Sequence, residues 1–256
     1  MIEEGRIEVY SYGEGAQHSK YVLYWMQQAQ RVSYNHALNY AIDQANEYDL
    51  PLLVVFCVTP NYVGANARHY HFMLEGLAEV ADTLKEKGIG FVLEKSHPVE
   101  GVLKYIKDAK MLVMDKGYLR HQRQWREELV QQIKEVVSMT AIEIDTDLIV
   151  PVTIASEKVE HAARTIRPKL WRLYPNYDHQ PIQDKVKKKW KISLIKNIDR
   201  CDMTEDLIRQ DYQGLIDSLG VDESVKPSKK YQGGYSKAIE TLEEFFESKL
   251  NNYKDP

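Results

Sequence analysis

The sequence predicts an α/β fold built around a mostly parallel sheet, and two patterns carry this prediction. Short, continuous apolar runs of strand length recur along the first part of the chain, as in PLLVVFCV. Longer segments with apolar residues at helical spacing lie between them. Parallel strands that are covered on both faces have such unbroken apolar runs, and their connections usually contain a helix. The alternation therefore indicates βαβ units with right-handed crossovers.

Five apolar runs are predicted as strands. Most are rich in β-branched or aromatic residues, and each is separated from the next by a helical or turn-forming segment. The predicted strands are Tyr21–Met26, Leu52–Val58, Ile89–Leu93, Lys110–Asp115 and Thr140–Asp145. Their order along the chain predicts a five-stranded, Rossmann-like, doubly wound sheet with helices on both faces, followed by a helical and linker extension.

The segments between the strands are predicted as amphipathic helices. In the longest of them, Leu74, Leu77 and Leu84 fall on one face, and Gly88 ends the helix. The predicted helices are Asn35–Tyr48, Ala67–Lys87, Pro98–Lys107 and Leu119–Val137. Their apolar faces are expected to cover the two sides of the sheet.

The chain is predicted to divide into four parts. Residues 1–20 are expected to be a flexible N-terminus, and residues 21–155 the α/β domain. Residues 156–236 are predicted as an interdomain helix and linker, and residues 237–256 as the start of a further helical region. Within these last two parts the predicted helices are Ser156–Tyr174, Cys201–Leu219 and Lys237–Leu250.

Composition and charge exclude several classes of protein. The chain has 256 residues, of which 43% are hydrophobic and 28% charged, which is typical of a globular protein. No apolar run reaches the ~20 residues of a membrane-spanning helix. The acidic, glycine-containing start does not resemble a secretion signal, so a cytoplasmic location is expected. A net charge of −4 disfavours DNA binding by this chain alone.

The candidate ligand site lies where the predicted strands end, because doubly wound sheets bind ligands beyond the carboxyl ends of their strands. Neither a G-x-G-x-x-G fingerprint nor a Walker loop is present, so a phosphate-binding glycine loop is not supported. Aromatic, apolar and charged side chains are found there instead, and they are predicted to enclose a planar ring and hold its polar edges. The candidate residues are Trp25, Met26, Arg31, Phe56, Asp115, Lys116 and Tyr118.

Each candidate also has a purely structural interpretation. Trp25 and Phe56 could pack in the core, and Arg31 could pair with a neighbouring acid. No catalytic constellation is visible. His69 and His71 are two residues apart, which places them on different helix faces and disfavours a shared metal. The lysine-rich run at residues 185–191 is better explained as a solvated loop than as a phosphate site.

Several motifs, in order along the chain, resemble the amino-terminal half of class II cyclobutane-pyrimidine-dimer photolyases, in the photolyase/cryptochrome family. They are W-M-Q-x-x-Q-R at the first strand, R-H-Y-x-F-M-L at the long helix, and V-P-V-x-x-A-S-x-K followed by A-A-R-T-I-R-P-K. The resemblance extends through GGYSKAIETLEEFFESKL, almost to the C-terminus. It implies an α/β domain that holds a light-harvesting antenna pigment of the 8-hydroxy-5-deazaflavin type.

The resemblance also implies what this chain does not supply. In that family an all-helical domain binds FAD and the DNA lesion, and the sequence stops where that domain is expected to begin. FAD is therefore not expected on this chain alone. The implied partner is an FAD-binding helical domain, either on the same longer chain or on a separate subunit. UV-damaged DNA is expected to be contacted only through that partner. No association with a membrane is expected. The isolated chain is then expected to be inactive in repair.

Two alternatives remain open at this stage. The chain could be a stand-alone, Rossmann-like module that binds a nucleotide or deazaflavin without repair activity, or a structural partner whose slot is filled by its own aromatics. The apolar stripe of the last predicted helix discriminates between a partner and independence. If Ile239, Leu242, Phe245 and Phe246 fold back on the domain, independence is favoured; if they are exposed, a partner is implied.

Overall fold

A computed structural model describes residues 2–60, 62–179 and 185–253 of the chain. Its centre is a six-stranded sheet in the order β1-β6-β5-β2-β3-β4. The strands are β1 (Ile7–Glu14), β2 (Tyr21–Met26), β3 (Leu52–Val58), β4 (Gly90–Lys95), β5 (Ala109–Asp115) and β6 (Met139–Ile144). Strands β2 to β6 pair in parallel, and β1 pairs with β6 antiparallel. The predicted α/β class with a parallel-dominated sheet is confirmed.

The central strands are buried on both faces, as their unbroken apolar sequences predict. Every residue of β2 and β3 is buried. Trp25 on β2 lies opposite Val55 of β3 and Met114 of β5. The order of the strands reverses at β2, because the chain runs from β2 through β3 to β4 and then returns to β5 on the other side.

The prediction of five strands and a flexible N-terminus is wrong at residues 7–14, which form a sixth strand. Strand β1 pairs with the outer edge of β6, with Ile7 opposite Ile144 and Val9 opposite Ile142. Its sequence, IEVYSYGE, lacks a continuous apolar run because an edge strand is covered on fewer sides. The strand is specified by the free edge of β6, which local sequence patterns do not reveal.

Helices cover both faces of the sheet. The helices of the α/β domain are α1 (His36–Glu47), α2 (Ala67–Glu86), α3 (Pro98–Ile106) and α4 (Arg120–Val136). Helices α1 and α2 pack on one face through residues such as Ile42 and Leu77, and α3 and α4 pack on the other through residues such as Val102 and Leu129. The two faces form separate hydrophobic cores, as a doubly wound sheet requires.

The extension differs from the predicted helices. Its helices are α5 (Val152–Ala155), α6 (Ala163–Leu173), α7 (Thr204–Ile208), α8 (Tyr212–Leu219) and α9 (Tyr235–Glu244). The predicted helix at 156–174 begins only at Ala163, and the one at 201–219 is interrupted around Gln210, which has a positive φ of 61°. The predicted helix at 237–250 is α9, followed by a π-helical turn and a short 3₁₀ turn.

Part of the predicted interdomain segment packs on the α/β domain. Leu207 and Leu215 are buried in the same core as α2, and Met203 N donates to the carbonyl of Leu93 on β4 at 2.8 Å. On the other face, the Trp190 ring packs against Tyr21 at a centroid distance of 5.7 Å. Residues 180–184 and 254–256 of the predicted extension lie outside the described residues. None of the helices in the described ranges is both long and apolar enough to cross a membrane.

Candidate functional site

A cleft of about 430 Å³ opens at the carboxyl edge of the sheet, above the ends of β2 and β3. The loop between β3 and α2 forms one side of it, and the first turns of α4 form the other. This position adjoins the point where the strand order reverses, which is where doubly wound folds bind ligands. The volume lies within the ~300–1,000 Å³ of small-molecule sites.

The floor of the cleft is apolar and rigid. Trp25, Met26 and Phe56 line it, and the first and last of these are only 1% and 5% exposed. Trp25 belongs to the core under α3 and α4, whereas Met26 and Phe56 belong to the core under α1 and α2. Because both cores hold these side chains, the floor is fixed by close packing rather than by loops.

Aromatic rings meet across the mouth of the cleft. Tyr62, from the loop after β3, has its Oη 2.5 Å from Nε2 of His121 on α4. The ring of His121 lies edge-on to that of Trp125, with centroids 4.9 Å apart, and the Tyr62 and Trp125 centroids are 6.4 Å apart. Edge-to-face contacts of this kind hold ring orientations, so the two sides of the cleft are joined by a defined aromatic surface.

A polar wall follows β2 directly. Gln27, Gln28 and Gln30 line the cleft, and the carboxylate of Asp115 at the end of β5 holds the start of the loop that carries them. That carboxylate accepts hydrogen bonds from the backbone N–H groups of Gln27, Gln28 and Ala29 at 2.9, 2.9 and 2.6 Å. One acid thus fixes the loop that carries the glutamines.

Asp115 is fully buried, and its environment changes its acidity. Burial raises the pKa of Asp115 to about 6, although the three backbone hydrogen bonds act in the opposite direction. The Tyr24 hydroxyl donates to Asp115 at 3.3 Å, and Asn35 Nδ2 lies 3.2 Å from that hydroxyl. The acid belongs to a buried polar network under the loop and acts on the cleft through the backbone.

The structure brings together only part of the predicted site. Trp25, Met26 and Phe56 line the cleft. Asp115 lies beneath it, and Tyr118 is outside its lining, with its hydroxyl donating to Asp145 at 2.8 Å. Burial, and then the Asp145 carboxylate, raise the pKa of Tyr118.

The two predicted cations also lie outside the cleft lining. Arg31 donates to Asp147 at 2.8 Å, which is the structural interpretation named for it above. Lys116 donates to Glu8 and Glu143 at 2.8 and 2.9 Å, on the β1 and β6 side of the sheet. Burial lowers the pKa of Lys116, but its hydrogen bonds to the two carboxylates outweigh this, so the net change is upward.

Several residues that line the cleft were not predicted from the sequence, most of them because they do not lie at the end of a strand. Tyr62 lies in a loop without a pattern, and Trp125 falls in register with Leu129 and Ile133, a spacing that indicates core packing rather than a ligand site. Gln27 and Gln28 stand directly after β2, which is the one local signal that marks them. Gln122, a turn into α4, has no such signal.

The cleft is suited to binding rather than covalent chemistry. Cys57 lines it, but burial raises the pKa of this thiol to about 12, so it stays protonated at neutral pH. Within the described part of the chain, no three histidine, cysteine or acidic side chains are placed to hold a metal ion. What the cleft offers is a flat apolar slot with amide groups on one wall.

A comparison with protein families identifies the family of this chain. Residues 22–186, most of the chain, match the model of the DNA photolyase family. The chain belongs to the DNA photolyase family. The part matched to the photolyases contains β2 from its second residue, β3 to β6, helices α1 to α6 and the whole cleft.

Two deoxyribodipyrimidine photo-lyases are similar over most of the chain. The deoxyribodipyrimidine photo-lyase of Methanothermobacter thermautotrophicus is 33% identical over 254 residues, which cover 99% of this chain and 53% of that protein. The Arabidopsis thaliana enzyme is 31% identical over 240 residues, covering 91% of this chain and 46% of that protein. The chain therefore spans about half the length of these photolyases.

Solved photolyase structures share the fold at low identity. A class III photolyase from Agrobacterium tumefaciens has a TM-score of 0.59 at 16% identity, covering 90% of this chain and 45% of that one. An archaeal photolyase from Sulfolobus tokodaii has a TM-score of 0.60 at 13% identity, covering 86% of this chain and 45% of that one. The latter was solved with two FAD molecules, with the implication of a novel light-harvesting cofactor.

Proposed function

We propose that this chain is the α/β portion of a class II deoxyribodipyrimidine photolyase and holds an antenna pigment in the cleft. The observation that carries the proposal is a rigid aromatic slot at the carboxyl edge of a photolyase-family sheet. Class II is supported by the motifs described above, such as W-M-Q-x-x-Q-R and A-A-R-T-I-R-P-K. The pigment proposed is of the 8-hydroxy-5-deazaflavin type.

The residues of the cleft fit a planar, largely apolar ring with a polar edge. Trp25 and Phe56 supply flat packing surface, and Trp125 closes one side. Gln27 and Gln28 offer amide groups to the edge of a ring. When bound, such a pigment absorbs near-ultraviolet and blue light and passes the excitation energy to a nearby flavin. The chain's own residues bind and orient the pigment and exclude water from its faces.

The proposed acceptor of that energy is FAD in a helical domain outside this chain. The relatives are about twice as long as this chain, which leaves room in them for such a domain. In the described residues, no side chain of α9 is buried; of the stripe, Leu242 and Phe246 are 46% and 54% exposed, and Ile239 and Phe245 are half-buried. This exposed stripe favours a partner over the stand-alone alternative. Contact with damaged DNA is then proposed to occur only through that partner.

Direct titration tests the proposed pigment site. The purified chain is mixed with 8-hydroxy-5-deazariboflavin, and the pigment's fluorescence and visible absorption are followed. We expect stoichiometric, saturable binding. A parallel titration with FAD asks which ring the cleft prefers, because the Sulfolobus tokodaii structure holds two FAD molecules. Absence of deazaflavin binding, or stoichiometric FAD released when the purified chain is denatured, contradicts the proposal.

A reconstitution experiment tests the repair assignment. The chain alone, under blue light, is expected to leave thymine-dimer DNA unrepaired. Addition of an FAD-loaded helical half from the Methanothermobacter relative is expected to give light-dependent repair that increases when the deazaflavin is present. Repair by the isolated chain would overturn the division of roles. A repair rate that the pigment does not change would overturn the antenna role.

A further inference from the structure

We infer that this chain pairs with a second copy of itself, with helix α9 of each copy seated in a groove beside α6 of the other. The inference goes beyond the proposed function, because neither surface belongs to the cleft and no pigment takes part. It rests on two apolar surfaces that are exposed in the described structure and that complement each other, one a groove and the other a helix face.

The first surface is a groove of about 880 Å³ between α6 and the segment that follows β6, which we call the α6 groove. Its lining is mainly apolar, yet no residue of α6 is buried, and Trp171 is 67% exposed. A contiguous exposed apolar surface of this kind is typical of an interaction site. The apolar residues of the lining include Leu148, Ile149, Val152, Ile166, Leu170 and Trp171.

The acids that line the α6 groove are already neutralised. Asp147 pairs with Arg31 at 2.8 Å, and Glu160 pairs with Lys169. Neither carboxylate is therefore available to attract a cationic partner.

Two arginines give the groove a positive rim. Arg167 lines the groove, and Arg164 lies three residues earlier, on the same side of α6. Both are exposed, and neither has an acidic partner within the described part of the chain. An apolar groove with a positive rim fits an amphipathic helix whose apolar face is bordered by acids.

Helix α9, with the turns that continue it, has such an apolar face. Leu242 and Phe246 are exposed, and the face continues to Leu250, which is 46% exposed. Its residues are Ile239, Leu242, Phe245, Phe246 and Leu250, called the α9 stripe below. Because these positions recur at helical spacing, they form one side of the helix.

Acids border the α9 stripe. Glu240 and Glu244 pair with lysines of the same segment, at 2.6 and 2.7 Å. Glu243 follows Ile239 by four residues, so it lies beside the stripe, and Glu247 follows one turn later. These two carboxylates have no cationic partner in the described ranges. They match the two unpaired arginines of the α6 groove in charge, number and spacing.

The start of α9 is held far from the groove of its own copy. Gly233 N donates to Glu75 at 2.7 Å and Ser236 N donates to Glu79 at 3.0 Å, both on α2. Helix α2 packs beside β4 at one edge of the sheet, whereas the groove follows β6, which is four strands away. A second copy can bring the two surfaces together while α9 stays anchored to α2.

Each copy carries both surfaces, so a two-fold arrangement makes the same contact twice. Two equivalent contacts double the buried area and leave neither surface open, so association stops at two copies. The α9 stripe is also the surface proposed above to face the helical partner. That partner and the second copy therefore compete for it.

Charge reversal at exposed positions tests the pairing. The groove variant carries Arg164→Glu and Arg167→Glu, and the helix variant carries Glu243→Arg and Glu247→Arg. All four side chains are exposed, so both variants are expected to fold.

A control variant carries the same change of net charge as the groove variant at other places. It combines Arg123→Glu on α4 with Arg172→Glu on the part of α6 that does not line the groove. Both residues are exposed.

Sedimentation of the purified chain at a series of concentrations gives the readout. We expect the average mass of the wild type to rise from one chain to two across the micromolar range and then to level off. The groove variant and the helix variant each place like charges at both contacts, so each is expected to dimerise at least about tenfold more weakly. The control variant is expected to dimerise as the wild type does.

An equimolar mixture of the groove variant and the helix variant is the decisive sample. In a mixed dimer, one contact has the wild-type charges and the other has the same charges exchanged. Both contacts are therefore attractive, and the mixture is expected to dimerise about as tightly as the wild type. Non-specific association through apolar surface does not produce such a recovery.

Four results would overturn the inference. A wild type that stays monomeric leaves the groove to the proposed helical partner. A mass that grows beyond two chains excludes the reciprocal arrangement. Variants that dimerise like the wild type place the interface elsewhere, and a mixture that does not recover shows that α9 and the groove do not meet. None of these results bears on the pigment site, which the deazaflavin titration tests separately.

Discussion

Asp115 at the end of β5 accepts a hydrogen bond from the backbone N–H of Ala29, 2.6 Å away in the loop after β2. The two residues lie 86 positions apart in the chain and meet where the strand order reverses. This contact fixes the loop that carries the cleft's amide wall. Through this contact, an acid at a strand end shapes the cleft without lining it.

The raised pKa of Asp115 predicts a specific pH dependence of stability. Its pKa is about 6 in the folded chain and 3.8 in the unfolded reference, so the folded state binds a proton more readily between these values. The contribution of this group to the free energy of unfolding is therefore greatest below about pH 4 and falls as the pH rises to 6. Above pH 6 it is constant.

Comparison with Asp115→Asn isolates that contribution. The difference in unfolding free energy, wild type minus variant, is expected to increase by about 2–3 kcal/mol as the pH falls from 7 to 4. Urea denaturation at several pH values measures this difference. A difference that is flat, or that shrinks in acid, would show that the pKa of Asp115 is not raised.

Trp125→Ala is expected to weaken pigment binding. Trp125 is half-buried at the cleft and contacts His121 and His97 through ring edges, at centroid distances of 4.9 and 5.5 Å. Loss of this ring surface is expected to reduce deazaflavin affinity at least about tenfold. Trp171→Ala, which removes a 67% exposed ring at another surface, is the matched control and should leave affinity unchanged. Equal affinities for both variants would place the pigment elsewhere.

The buried ion pair of Arg126 and Glu143 is expected to be costly to break. Both side chains are 1% exposed, and Lys116 adds a second cation to Glu143 at 2.9 Å. Arg126→Met leaves a buried carboxylate with one partner fewer and is expected to destabilise the fold by about 3–5 kcal/mol.

A second substitution distinguishes the stability that the ion pair contributes from the stability that the packing of the Arg126 side chain contributes. In the double variant Arg126→Met with Glu143→Met, much of that stability is expected to return, because neither charge remains buried alone. Chemical denaturation of the four proteins of this cycle gives the coupling between the two side chains. No recovery in the double variant would mean that the arginine acts through its packing.

Gly90→Ala tests whether the extension is part of the folded domain. A Cβ atom at Gly90 would lie 2.4 Å from the Trp190 ring, and Trp190 N donates to the carbonyl of Gly88 at 2.8 Å. The variant is expected to displace Trp190, to destabilise the chain by about 1–3 kcal/mol and to speed trypsin cleavage at the adjoining lysines, because the backbone there loses its anchor. In a Trp190→Leu background the same change should cost less. Equal costs in both backgrounds would contradict the contact.

Much of the fold could be predicted because its signals are local. The continuous apolar runs of β2 and β3 mark strands that are buried on both faces. The helical spacing of apolar residues in α2 marks a helix that is buried on one face. Strand β1 could not be found this way, since its mixed sequence becomes a strand only beside β6. The breaks in the extension were missed because packing against α2, rather than periodicity, sets the ends of α7 and α8.

The candidate site shows the same difference between features set by local sequence and features set by tertiary contacts. The sequence by itself determined that the strand ends carry aromatic and polar groups and that no phosphate-binding glycine loop is present. Strands and glycine motifs can be recognised because they depend on residues that are neighbours in the sequence. Only the tertiary structure decided which of these groups face the cleft. Arg31 donates a hydrogen bond to Asp147, 116 positions away, and Gln27 accepts one from Arg126, 99 positions away. Hydrogen-bond partners so distant in sequence are chosen by the packing of the sheet, and no local pattern encodes them.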